Sequence, residues 1–130
     1  GVYVASAKAK VVNCLFAGNI GKPGLKYAPE LGGTESVITG TDVLRNCLFR
    51  LDDPTLTVGY RCLNTDPRFL DEPNGGYLLS KDSPCRWAGQ RADWMAGALD
   101  FYGNPRCHGR GHPDIGCQQQ DPKGLILTIK

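Results

Sequence analysis

The chain has 130 residues, 41% of them hydrophobic, with 15 Lys and Arg against 13 Asp and Glu. That length can bury one modest core and requires no second domain. The basic residues are scattered from Lys8 to Lys130 without forming a stripe, which disfavours a nucleic-acid partner. No apolar run approaches the ~20 residues that cross a bilayer, so no membrane span is expected.

Tyr3, Val4 and Ala5, followed by KAKVV, read as a strand already under way, and the expectation is a C-terminal piece of a longer protein. Six cysteines in a chain with 17 Gly and 9 Pro point to an oxidising compartment, hence a secreted or cell-surface location.

The first informative feature is an internal repeat. KVVNCLFAGN around Cys14 recurs as VLRNCLFRLD around Cys47, with the shared NCLF displaced by 33 residues, a spacing typical of stacked supersecondary units. In each copy a short β-favouring run precedes Asn13 or Asn46, and an apolar run follows. Asn tolerates the left-handed conformation that a single-residue bend needs. Stacking would then place Val11 on Leu44, Cys14 on Cys47 and Phe16 on Phe49. Short strands, sharp bends and like residues piled upon like describe the coil of a parallel β-helix. The chain here resembles the right-handed parallel β-helix (pectate-lyase-like) proteins, whose coils often carry an Asn at one bend with Cys or an apolar residue after it.

Between the copies, residues 21–36 are rich in Gly and Pro and have no steady period, which reads as a loop ejected from the coil. Lys22, Lys26, Tyr27 and Glu30 are its exposed binding candidates, against the plainer reading of a solvated loop. From Ser36 the text is β-branched and alternating, and helix is poorly supported anywhere. Asp52 and Asp53 before Pro54 form a surface turn. No cofactor or metal is expected; calcium at these two acids is the alternative, lacking a third oxygen ligand.

The second half is built of turn phrases. DPRFLDEPNGGYLL from Asp66 holds a short buried segment at Phe69 and Leu70, the strongest turn of the chain at 71–76, and a strand from Tyr77 to Leu79. DSPCRWAG from Asp82, DFYGNPR from Asp100 and PDIGC from Pro113 follow in order. These four phrases resemble the closing region of secreted bacterial β-helix proteins with a "choice-of-anchor" type C-terminal region. The chain departs from that pattern at Cys85 and Cys117, which stand where Ala is common.

The resemblance implies an all-β fold in one structural domain. Residues 1–65 are the last coils of a right-handed parallel β-helix, and 66–130 are a turn-rich C-terminal cap on its end. An open end of such a helix exposes unpaired strand edges over an apolar interior and must be covered. Tyr77–Leu79 and Leu125–Ile129 are expected to add to that end. Trp87, Trp94, Met95, Leu99 and Phe101 are expected to fold over the core as a plug, although Trp87 and Trp94 are also of the kind that stacks on a sugar. Asp66, Asp82, Asp100 and Asp114 read as turn-forming acids rather than catalytic ones.

In similar sequences SPC and DIGC tend to occur together, which implies a Cys85–Cys117 disulfide and leaves Cys62 with Cys107. Six cysteines by themselves leave the connectivity open. Cys14 and Cys47 are read as reduced interior filler, with oxidation as the alternative. Cys107, His108, His112 and Cys117 lack the spacing of a zinc finger.

The function expected is that of non-catalytic closing coils and cap, with a polysaccharide or cell-surface glycan as partner. The remainder of its own β-helix, or another chain, would meet the open N-terminal end. The alternative is a fragment of a polysaccharide lyase or glycoside hydrolase whose site lies on coils before residue 1. Arg45, Arg50 and Asp52 come nearest to a lyase cluster and read more simply as a solvated face.

Overall fold

The computed structural model describes residues 1–20, 25–27, 29–107 and 111–119. The chain is built of short strands: β1 (Val2–Val4), β2 (Val11–Val12), β3 (Leu15–Phe16), β4 (Leu31–Gly33), β5 (Leu44–Arg45), β6 (Leu48–Phe49), β7 (Leu63–Asn64), β8 (Phe69–Asp71) and β9 (Gly76–Leu79). The all-β class holds. One helical turn, α1 (Glu35–Ile38), and two 3-10 turns, Glu72–Asn74 and Asp93–Met95, interrupt them.

The first seven strands form small open parallel sheets. β1 lies on β4, β2 on β5, and β3 on β6, which in turn lies on β7. The register pairs Val11 with Leu44, Leu15 with Leu48 and Phe16 with Phe49. The two phenyl rings stack 5.1 Å apart at 5°. Leu48 also pairs with Leu63, which adds a third rung only 15 residues further on.

Side chains alternate across the β3-β6-β7 sheet, as pleating requires. Cys47, Phe49 and Leu51 point into one core with Val4, Leu31, Ile38, Val43, Leu44 and Val58. Leu48 points the other way, into a second cluster with Leu79, Cys85 and Ile115, joined by Leu15, Leu63 and Phe69. The described part of the closing half therefore lies along the flank of the stacked rungs; the expected strand at 125–129 falls outside the described residues. Tyr77–Leu79 pairs antiparallel with β8, Phe69 facing Leu79, rather than adding to the end of the stack.

Three further expectations are corrected. Residues 35–38 turn as a helix, closed by Val37 and Ile38 amides on Thr34 O and by the Thr39 amide on Glu35 O. Burying Ile38 completely at that corner outweighs the weak helical preference of β-branched residues. Leu70 is 64% exposed, because it lies on the outer face of its hairpin strand. Of the supposed plug only Met95 is buried; Trp94 (69%), Leu99 (63%), Phe101 (79%) and Trp87 (41%) reach solvent.

Burial ranks the aromatic rings. Phe49→Ala should cost ~3–5 kcal/mol in urea denaturation, whereas Phe101→Ala should stay within ~0.5 kcal/mol of the parent.

Candidate binding site

Asn13 and Asn46 bend the chain with φ of +57° and +50°. Their side chains are then free to reach sideways, and both grip one segment, residues 88–90. Asn46 Nδ2 donates to Ala88 O at 2.9 Å, and Asn13 Nδ2 donates to Gln90 O at 2.7 Å while its Oδ1 accepts the Gln90 amide. This strap is clasped from outside by residues 113–116. Gly89 N donates to Pro113 O, Ile115 N to Cys85 O, and Gly116 N to Asn13 O. A Cβ on Gly89 would meet Pro113 O at 2.7 Å and Asn13 Oδ1 at 3.2 Å, so the close approach requires glycine there.

The residue after each bend is a cysteine. Cys14, Cys47 and Cys62 follow Asn13, Asn46 and Arg61, the last at φ +52°, on three successive rungs. Hydrogen bonding with Cys47 brings the Cys14 pKa down to about 7 against the opposing effect of burial. Cys47, bonded to Cys14 and Cys62 and buried, is pushed up; Cys62 is lowered, first by its bond with Cys47. Burial raises Cys85 to about 11. None of the six cysteines is joined in a disulfide in the structure. Cys85 lies inside the second cluster and Cys117 is exposed; Cys62 neighbours Cys47, and Cys107 is half-buried.

The turn acids hold loops. Asp66 Oδ1 accepts Arg68 N, Asp114 Oδ1 accepts Trp87 N, and Asp53 Oδ1 accepts the Thr55 amide and hydroxyl. Asp100 is a small cage: its carboxylate accepts the amides of Tyr102, Asn104 and Gln119. Burial pushes the Asp100 carboxyl up, but the amides of Gln119, Asn104 and Tyr102 together bring it below the usual range. Arg50 makes a bidentate pair with Glu72, and Arg45 reaches Gln90 Oε1 and the Tyr60 ring.

The loop candidates do not assemble. Tyr27 and Glu30, expected at the surface, are 7% and 1% exposed; Asn19 closes over Glu30 through its backbone and side-chain amides. Tyr27 joins the main core. Lys26 is exposed but engaged with Glu35. Lys22 and His108 lie outside the described residues, and His112 Nδ1 meets Gly89 O. Among the described residues no three Cys, His, Asp or Glu converge on a metal-sized site.

Two cavities instead flank the clasp at Asn13, Gly116 and Cys117. One, of about 640 Å³, is an apolar groove between Leu15 and Phe16 of β3 and the hairpin residues Phe69, Tyr77 and Leu79. The other, of about 450 Å³, is walled by Trp94, Leu99 and Phe101 over a floor that includes Asn13, Gln90, Asp100 and Arg106. Sequence reasoning offered Trp94 as a sugar-stacking ring only as the alternative to the plug and placed Leu99 and Phe101 in the core, although DFYG carries the signal for the latter: two adjacent aromatics inside a tight Asp-to-Gly turn cannot both face a core. Comparison with protein-family models, with curated proteins and with solved structures finds no match.

Two outcomes are expected. Iodoacetamide should label Cys14 in the native, fully reduced protein with a half-maximal rate near pH 7, leaving Cys85 unlabelled until denaturant is added; peptide mass spectrometry reads both. The Asp100 carboxylate, with its folded pKa depressed, stabilises the fold above its unfolded pKa of about 3.9 and loses that contribution as pH falls through the lower folded value. Thermal melts from pH 6 to pH 2 should therefore show the advantage over Asp100→Asn shrinking below about pH 4.

Proposed function

We propose that residues 1–130 are the non-catalytic closing unit of a secreted or cell-surface right-handed parallel β-helix protein, terminating its stack of coils and facing glycans at its surface. One observation carries this reading. On the second rung Leu44, Cys47, Leu48 and Phe49 are fully buried, whereas their counterparts on the first rung, Val11, Cys14, Leu15 and Phe16, are only half-buried. Among the described residues the first rung is a free edge with an apolar inner face, and another coil laid on it would bury that face as the second rung is buried. The other side of the stack ends on the short third rung.

The carboxylates support a non-catalytic role, since Asp53, Asp66 and Asp100 accept backbone amides within their own turns and Asp114 accepts the Trp87 amide. If the parent protein is a polysaccharide lyase or glycoside hydrolase, its chemistry belongs to coils that stack on this edge. In an oxidising compartment the same reading pairs Cys85 with Cys117.

The test has two arms. The reading frame upstream of the Gly1 codon should encode further short-strand coils with Asn at the bend, and a start codon immediately before Gly1 would overturn the proposal. Incubating the isolated chain with pectin, alginate and mucin glycans should release no product; cleavage would assign the activity to this unit instead.

A further inference from the structure

The wall of Trp94, Leu99 and Phe101 is held outward by the backbone. Met95, 3% exposed, anchors the 3-10 turn Asp93–Met95, whose Met95 amide returns to Ala92 O. Adjacent residues of such a turn diverge by about 120°, so burying Met95 sends Trp94 to solvent. Leu99 is fixed by its antiparallel bridge to Pro105, and Arg106 N donates to Ala98 O. Phe101 N donates to Cys117 O at 2.9 Å, and its ring meets Tyr102 edge-on at 5.3 Å. The Asp100 cage ties this turn to Gln119. These contacts present a large apolar surface to water in a fixed shape, the arrangement of a ligand wall rather than of chance exposure.

The floor is polar and balanced in charge. Arg106, 7% exposed, donates to Gly116 O and Asp114 O and has no carboxylate within 4.0 Å among the described residues. Asp100 stands in the same lining with the opposite charge. Gln90 offers an amide whose oxygen is taken by Arg45. The volume of about 450 Å³ falls within the ~300–1,000 Å³ of small-molecule sites. An occupant must therefore present one apolar face to the rings and hydroxyls to the floor, with no net charge.

We propose that this cavity is a saccharide-binding site for a neutral pyranose chain, with a sugar ring stacked on Trp94 and Phe101 and hydroxyls directed to Gln90 and Arg106. It rests on the glycan-facing role proposed above and gives that role a place, away from the loop at 21–36.

The probes are cellohexaose, xylohexaose, mannohexaose and laminarihexaose, with hexagalacturonate as the acidic comparison, each titrated against the full chain by calorimetry. Binding of at least one neutral oligosaccharide is expected. Trp94→Ala and Phe101→Ala should each weaken it roughly tenfold, and Trp87→Ala, outside the lining, should leave it unchanged. Circular dichroism of each variant checks the fold. Neutral binding that survives both Trp94→Ala and Phe101→Ala overturns the site while leaving the glycan-facing role intact. Binding of hexagalacturonate alone overturns the neutral assignment, and no binding of any probe overturns both the site and the glycan-facing role.

Discussion

Everything else in the molecule depends on the left-handed bend at Asn13 and Asn46. A residue at φ near +50° turns the chain sharply within one position, so two-residue strands can meet at an angle and still pair in register with the strands of the other NCLF copy. Gly would take that conformation more easily, but it would leave nothing to reach the strap. Asn combines left-handed tolerance with an amide that both donates and accepts. The three bonds from these side chains to Ala88 and Gln90 each contribute about 0.5–1.5 kcal/mol. They also satisfy strap carbonyls that would otherwise be buried against the rungs without a partner.

Because the bend fixes which residues face inward, one four-residue phrase builds two cores. Cys and Phe of NCLF face the interior of the stack, and the Leu between them faces the closing half. The second cluster is where the DSPC and PDIGC phrases enter the structure: Cys85 and Ile115 cover Leu48, and Ser83 Oγ donates to Pro67 O while accepting the Cys85 amide. Gly59 marks a close fit on the other side. With φ at +56°, it lies where a Cβ would come within 2.3 Å of Leu44 O, so the third rung can close directly beneath the second.

The rungs at Cys14 and Cys47 are legible in the sequence because NCLF is repeated whole and one residue type, Asn, marks both bends. The third rung was not, for two physical reasons. Its return takes 15 residues, which breaks the period of 33, and Arg61 occupies the left-handed position in place of Asn. Its guanidinium rests on Tyr60, itself covered by Arg45 from the neighbouring rung, so no strap contact is needed there. Asp66 and Asp100 could be read as turn acids because their contacts with Arg68 N, Tyr102 N and Asn104 N are local, whereas Asp114 holds the amide of the distant Trp87. Which aromatic residues face water could not, because that depends on the distant clasp between Phe101 and Cys117 and on the anchoring of Met95. The loop at 21–36 misled for the opposite reason: its Gly and Pro content signals irregular backbone but does not say that Tyr27 and Glu30 fold inward.

The direction of the strap has a mechanical meaning. Residues 88–90 run across the stacked strands, so that Ala88 is held by Asn46 and Gln90 by Asn13. Force drawing the closing half along the stack loads the Asn13 and Asn46 contacts together, in shear, with the Gly89 and Gly116 bonds backing them. Force drawing it outward would peel the same contacts one after another. Strapped in this way, the C-terminal half resists tension along the stacked strands better than tension away from their flank.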